Sequence, residues 1–123
     1  MRSDLSPEQV MSASSEELVV MLFEGAVRFA REARDAMARG DDAEAHARLG
    51  RVTAIVRELD ASLDPSAGLV GQHLAAIYEY VLRRLAEPEL ELATVDEIID
   101  DLTALTEAWT GTVASRTAPA PAS

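Results

Sequence analysis

Four segments of this chain repeat apolar residues at intervals of three and four, and helix breakers separate them. This spacing places apolar side chains on one face of an α-helix, so each segment has a face to bury. The breakers are Gly40, the run Asp64-Pro65-Ser66, and Pro88, because glycine ends helices readily and proline disfavours helix at the residue before it. No run of alternating β-branched residues predicts a strand. The pattern predicts an all-α chain.

Capping residues indicate where these helices begin. Ser14 with Glu17 and Thr94 with Glu97 have the spacing of capping boxes, and Asp41 is an N-cap candidate for the second helix. The predicted helices span roughly 16–39, 41–63, 69–86 and 94 to about 111. Short connections favour antiparallel neighbours, so the expected fold is an antiparallel up-down four-helix bundle.

The length of 123 residues suits a single domain. We expect the bundle to occupy residues 14–115. A segment without strong pattern, 1–13, precedes it, and an Ala/Pro/Ser-rich tail, 116–123, follows it. Both terminal segments are expected to be flexible.

The charge and composition exclude several kinds of partner and compartment. The formal net charge is −11 and every basic residue is arginine, so phosphate backbones and anionic lipids would repel the chain. No apolar run reaches the length of a membrane-spanning helix, and residues 1–4 lack a signal-peptide pattern. The absence of cysteine fits a reducing compartment. We therefore expect a cytosolic protein that binds no nucleic acid and does not insert into membranes.

The sequence offers few residues for catalysis or metal binding. It has two histidines, His46 and His73, no Glu-x-x-His pair and no glycine-rich phosphate loop. We expect no enzyme activity, no catalytic residue, no metal site and no cofactor. One alternative is a histidine phosphotransfer domain that uses His46, since Gly50 matches the His-x-x-Lys-Gly pattern of such domains. Leu49 replaces the lysine of that pattern.

The first helix carries more apolar residues than one buried face needs. At about 100° per residue, the expected core stripe is Leu18, Leu22, Gly25, Phe29, Ala33 and Ala36. The apolar residues that fall outside this stripe are Val19, Val20, Phe23 and Val27. Either another part of the chain or a partner helix must cover this second seam. In a structural bundle without a client, the chain would cover it itself.

Four stretches carry a family likeness, in order and with matching spacing. Residues 14–29 resemble the opening helix of the flagellin-specific export chaperones, the FliS family, with Glu17-Leu18, an apolar run, Gly25 and Arg28-Phe29. Residues 58–64 resemble the end of that family's second helix, residues 77–85 resemble its third, and Trp109 stands where its last helix carries tryptophan. The likeness covers about residues 10–113.

The resemblance implies an antiparallel four-helix bundle of the bacterial cytosol that is not an enzyme. It implies that the partner is flagellin, whose C-terminal helical segment is held so that it does not polymerise prematurely and is delivered for export. The flagellar export gate is a second expected partner. We expect a monomer or a weak homodimer, because an apolar seam invites self-association.

Helical angles, rather than matched family contacts, give the candidate residues of the partner-binding groove. Each lies off the expected core stripe of its helix: Val20, Phe23, Val27, Ile55, Tyr80 and Leu82. In the family, the N-terminal stretch can cover the groove when flagellin is absent. Val10 and Met11 are the candidates for such a self-capping segment here, although residues 1–13 lack the tyrosine common in the family.

Overall fold

The computed structural model describes residues 15–63 and 68–117, which form four helices and no strand. The helices are α1 (Ser15–Ala38), α2 (Asp42–Ala61), α3 (Gly68–Leu85) and α4 (Leu92–Thr117). The prediction of an all-α, four-helix chain is confirmed. Residues 1–13, with Val10 and Met11, and the tail beyond Thr117 lie outside the described residues.

The helices pack as antiparallel neighbours, with α1 between α2 and α4. Helix α1 packs extensively against α2 and α4, α2 packs against α3, and α3 meets α4 only sparsely. Two contacts show the antiparallel directions. Arg48, near the start of α2, lies 3.4 Å from Glu32, near the end of α1. Trp109, late in α4, donates through Nε1 to the carbonyl oxygen of Glu16 at the start of α1, at 3.3 Å. Helix α3 is therefore the least covered of the four.

All four helices contribute to one hydrophobic core. Its members are Phe23, Ala26, Val27, Ala30, Val52, Val56, Leu59, Tyr78, Val81, Val95, Ile98, Ile99 and Leu102. The rings of Phe23 and Tyr78 are tilted at 40°, with centroids 6.3 Å apart. Burial, and after it the nearby charge of Asp60, raises the pKa of Tyr78 to about 12. Tyr78 therefore stays neutral in the core at physiological pH.

The predicted core stripe of α1 is wrong in its angular position. The buried face of α1 centres on Ala26 and Ala30, both 0% exposed, and it includes Phe23 and Val27. Leu22 and Phe29 of the predicted stripe are only partly buried, whereas its last members, Ala33 and Ala36, are buried. The physical reason is that α2 and α4 both pack on α1. Small alanines let neighbouring helices approach closely, so the arc between the two neighbours becomes the core.

The helix starts follow the sequence signals in one case and depart from them in another. The N-cap at Asp41 is confirmed, since its side chain accepts from the backbone N–H of Glu44 at 3.2 Å. The predicted capping box at Thr94 is wrong, because α4 begins at Leu92. The buried Thr94 hydroxyl instead accepts a hydrogen bond from Arg84 of α3, at 3.3 Å. Ser14 lies outside the described residues, so its capping box stays a prediction.

Two glycines provide a matched pair for a stability measurement. Gly50 lies within α2, and a methyl group added there would meet no atom within 4 Å. Gly40, between α1 and α2, has φ of +76°, where side chains are strained. We expect Gly50→Ala to raise the free energy of unfolding by roughly 0.5–1 kcal/mol and Gly40→Ala to lower it by roughly 1–2 kcal/mol. Urea unfolding of both variants measures the difference, and shifts of the same sign would contradict this account.

Candidate functional site

The surface between α3 and α4 contains an apolar groove of about 430 Å³. We call it the α3–α4 groove. Its walls are formed by His73, Ala76, Ile77 and Tyr80 from α3, and by Asp101, Ala104 and Leu105 from α4. The groove exists because these two helices meet only sparsely. A partner side chain can enter there without displacing the core of the bundle.

Helix α3 extends the apolar surface beyond the groove itself. Among the described residues, the large apolar side chains that remain exposed are Leu69, Val70, Tyr80 and Leu92, and the first three belong to α3. Leu69 is 83% exposed and Val70 is 67% exposed. From Leu69 to Tyr80 the helix rises about 16 Å, or three turns. This length matches one short amphipathic helix laid along the groove.

The apolar pattern of α3 explains why part of it stays uncovered. Val81 is buried, and Leu74, Ile77 and Leu85 pack against the core while remaining partly accessible. Val70 stands four residues before Leu74 in the same apolar spacing, but it is exposed. The buried stripe thus narrows toward the start of α3. Hydrophobic surface left open in this way is characteristic of interaction sites.

A single carboxylate stands in the wall of the groove. Burial, and after it the charges of Glu97 and Asp100, raises the pKa of Asp101. Glu97 has a cation nearby, since Arg84 Nη2 lies 3.4 Å from its carboxylate. Within the described ranges, neither Asp100 nor Asp101 forms an ion pair. Nor do three acidic or histidine side chains in that part of the chain cluster closely enough to hold a metal ion.

An apolar seam that runs from Phe29 of α1 to Ile55 of α2, distinct from the second seam predicted for α1, is covered by the chain itself. The guanidinium carbons of three arginines lie near the centroid of the Phe29 ring: Arg28 at 4.8 Å, Arg48 at 5.9 Å and Arg51 at 5.8 Å. Such cation–π contacts shield an aromatic ring while the charges remain in water. Ile55 lies on the same seam, with its Cδ1 atom 3.5 Å from where a Cβ at Gly25 would stand. This seam offers a partner less free apolar surface than α3 does.

The structure does not bring the six predicted groove residues together. Tyr80, 41% exposed, lines the α3–α4 groove. Val20, Ile55 and Leu82 are partly buried and do not line it. Phe23 and Val27 were predicted to lie off the core stripe, and this placement is wrong because both are buried in the core. We therefore leave Phe23 and Val27 out of the docking surface.

Sequence reasoning missed most of the α3–α4 groove. One face of α3 carries residues at intervals of three and four, namely Leu69, His73, Ala76 and Tyr80. Helical spacing alone could have indicated this face. The opposite wall, with Asp101, Ala104 and Leu105, also has a spacing of three and four, but this spacing does not show which neighbouring helix it faces. The groove depends on the distance between α3 and α4, which follow each other in the chain but meet only sparsely.

His46 is exposed on α2 and borders a separate cleft between α2 and the segment that follows α3. Leu49 and Glu87 also line this cleft, and no lysine stands beside the histidine. The geometry therefore gives the phosphotransfer alternative no added support.

Comparison with known proteins identifies the family. The family model described as flagellar protein FliS matches residues 3–116. The flagellar secretion chaperone FliS of Salmonella typhimurium is 34% identical over 104 residues, covering 81% of this chain and 77% of that protein. The flagellar secretion chaperone FliS of Campylobacter jejuni is 34% identical over 107 residues, covering 85% and 84%. This chain belongs to the FliS family of flagellar secretion chaperones.

Proposed function

We propose that this chaperone binds the C-terminal segment of flagellin, prevents its premature polymerisation and assists its export for filament assembly. It acts in the bacterial cytosol by holding its client stoichiometrically and catalyses no reaction. The observation that carries the proposal is the exposed apolar face of α3, from Leu69 to Tyr80, beside the α3–α4 groove. No helix in the described ranges is long and apolar enough to cross a membrane.

An amphipathic client helix fits this surface physically. Its apolar side would lie along α3, with side chains entering the groove at intervals of one turn. Covering Leu69 and Val70 removes apolar surface from water, which stabilises the complex by about 25 cal/mol per Å². The same burial denies a second flagellin molecule access to that side of the client. Binding and prevention of polymerisation are then one event.

The groove alone is too short to explain tight binding. Three helical turns bury less area than the roughly 1,200–2,000 Å² of a stable interface. Ordering a flexible client also costs free energy, which a larger contact must offset. We therefore propose that the client continues past the α3–α4 groove onto neighbouring surfaces. Delivery to the flagellar export gate would follow from presenting this wrapped client.

Calorimetric titration with the last ~50 residues of the host flagellin tests the proposal; this length gives enough helix to wrap the bundle. We expect one-to-one binding with a large negative heat-capacity change, because apolar surface is buried. A peptide of the same composition in scrambled order is the control, since it keeps the charge but loses the amphipathic pattern. Equal binding of both peptides, or no binding of the native segment, would contradict the proposed function.

A further inference from the structure

The wall of the α3–α4 groove contains one charge in an otherwise mostly apolar lining. Asp101 of α4 lines the groove together with the apolar residues Ile77 and Tyr80 of α3 and Ala104 and Leu105 of its own helix. Its neighbour Asp100 is exposed and does not line the groove. A carboxylate in such a wall loses hydration that a cation could replace.

The surroundings of Asp101 make its ionised form less favourable than it would be in water. Glu97 and Asp100 are both negative, and together with burial they raise the pKa of Asp101. Arg84 of α3 is already engaged by Glu87, Glu97 and the Thr94 hydroxyl. Across the described residues no cation is paired with Asp101. The groove therefore presents a negative charge that an incoming partner can neutralise.

We propose that Asp101 determines which segment the α3–α4 groove accepts, by pairing with a lysine or arginine at the edge of the client's apolar face. This inference rests on the proposed function of the groove, and it adds the chemistry of the client. The occupant is an amphipathic flagellin helix of about three turns that carries a cation where its apolar face meets Asp101. An entirely apolar helix, or one with a carboxylate at that position, is rejected.

The net charge of the whole chain also favours a cationic client. A net charge of −11 attracts cationic segments and repels anionic ones before contact. Long-range attraction does not choose a register along a helix. A single carboxylate in an apolar wall does, because a client displaced by one turn would leave both the cation and Asp101 unpaired.

The test compares two neighbouring carboxylates on α4. Asp101→Asn removes the charge from the groove wall and keeps the shape of the side chain. Asp100→Asn makes the same chemical change at an exposed position that does not line the groove. With the ~50-residue flagellin segment as the probe, we expect Asp101→Asn to weaken binding about tenfold and to reduce its salt dependence. We expect Asp100→Asn to change the affinity by less than about twofold.

A scan of the client locates the cation without altering the chaperone. Each lysine and arginine of the flagellin segment is replaced singly by glutamine. One replacement should weaken binding to the wild-type protein about tenfold and have little further effect on Asp101→Asn. The free energy of unfolding of Asp101→Asn should equal or exceed that of the wild type, because the surroundings of Asp101 disfavour its charged form in the folded protein.

The outcomes separate this inference from the proposed function. If the wild-type protein binds the segment and Asp101→Asn binds it equally well, the role of Asp101 is overturned and the client-binding function stands. Equal losses from Asp100→Asn and Asp101→Asn would also overturn it, since general charge would then explain the effect. If the wild-type protein does not bind the segment at all, the proposed function itself fails.

Discussion

Replacing Phe23 by alanine is expected to lower the free energy of unfolding by about 3–5 kcal/mol. Phe23 is 1% exposed and is among the largest fully buried side chains. Its ring packs beside that of Tyr78, so truncation leaves a cavity at the centre of the bundle. Since small domains are stable by about 5–15 kcal/mol, this is a large part of the total. Urea unfolding followed by circular dichroism measures it.

Phe29→Ala is the matched control, because the chain has two phenylalanines and both lie on α1. Phe29 is only partly buried and is covered by arginine side chains, so we expect a loss of about 1–2 kcal/mol. Phe23→Asp should unfold the bundle outright, since it would bury an unpaired charge. If the Phe23→Asp protein stayed folded and lost only client binding, Phe23 would belong to the partner-binding surface and not to the core.

Tyr80→Asp should weaken binding of the flagellin segment by about 30-fold or more. Tyrosines at the centre of an interface are frequent hot spots, which contribute about 2 kcal/mol or more. Tyr80 lines the α3–α4 groove and is 41% exposed in the free chain. The introduced carboxylate would also replace apolar surface that the client's apolar face covers, and its burial there would cost free energy. Because the position is exposed, we expect the free energy of unfolding to change by less than about 1 kcal/mol.

Leu92→Asp is the control for this prediction. Leu92 is also an exposed large apolar residue, at 36%, but it lies at the start of α4 and does not line the groove. We expect its client affinity to remain within about twofold of the wild type. Calorimetric titration of both variants gives the comparison. Equal losses would indicate that the client covers exposed apolar surface generally. Unchanged affinity of the Tyr80→Asp variant would show that the docking surface does not include this part of α3.

The sequence predicts the helices well because each is specified locally. Apolar spacing and the breakers at Gly40 and Pro88 define four segments, and Asp41 begins α2 through a contact only three residues away. The start of α4 could not be predicted in this way. Thr94 has the local signature of a cap, but its hydroxyl is held by Arg84 from the preceding helix. Tertiary contacts therefore override the local signal.

The face of α1 was mispredicted for a related reason. Helical angles give the order of residues around a helix but do not say which neighbours pack against it. With α2 and α4 on either side, the small residues Ala26 and Ala30 occupy the centre of the contact. Large apolar residues such as Leu22 and Phe29 lie at its edge. A stripe counted in steps of about 100° from Leu18 was therefore displaced.

The candidate site could be predicted only in part. Tyr80 stands off the core stripe of α3, and that angular argument places it correctly on an open surface. The groove beside it requires a gap between two helices, and no pattern within either helix encodes that distance. From the sequence alone, Asp101 cannot be distinguished from the other acidic residues of α4. Its apolar neighbours in the groove become visible only when α3 and α4 are placed side by side.

The hydrogen bond between Trp109 and the first turn of α1 gives this protein an optical probe of its own. Trp109 is the chain's single tryptophan. Its indole nitrogen donates a hydrogen bond to the carbonyl oxygen of Glu16, where α1 begins and α4 approaches its end. The indole lies one helical turn beyond Leu105 of the α3–α4 groove. Its emission therefore reports on one defined place in the fold, next to the docking surface and to the point where the N-terminal segment joins the bundle, without any attached dye.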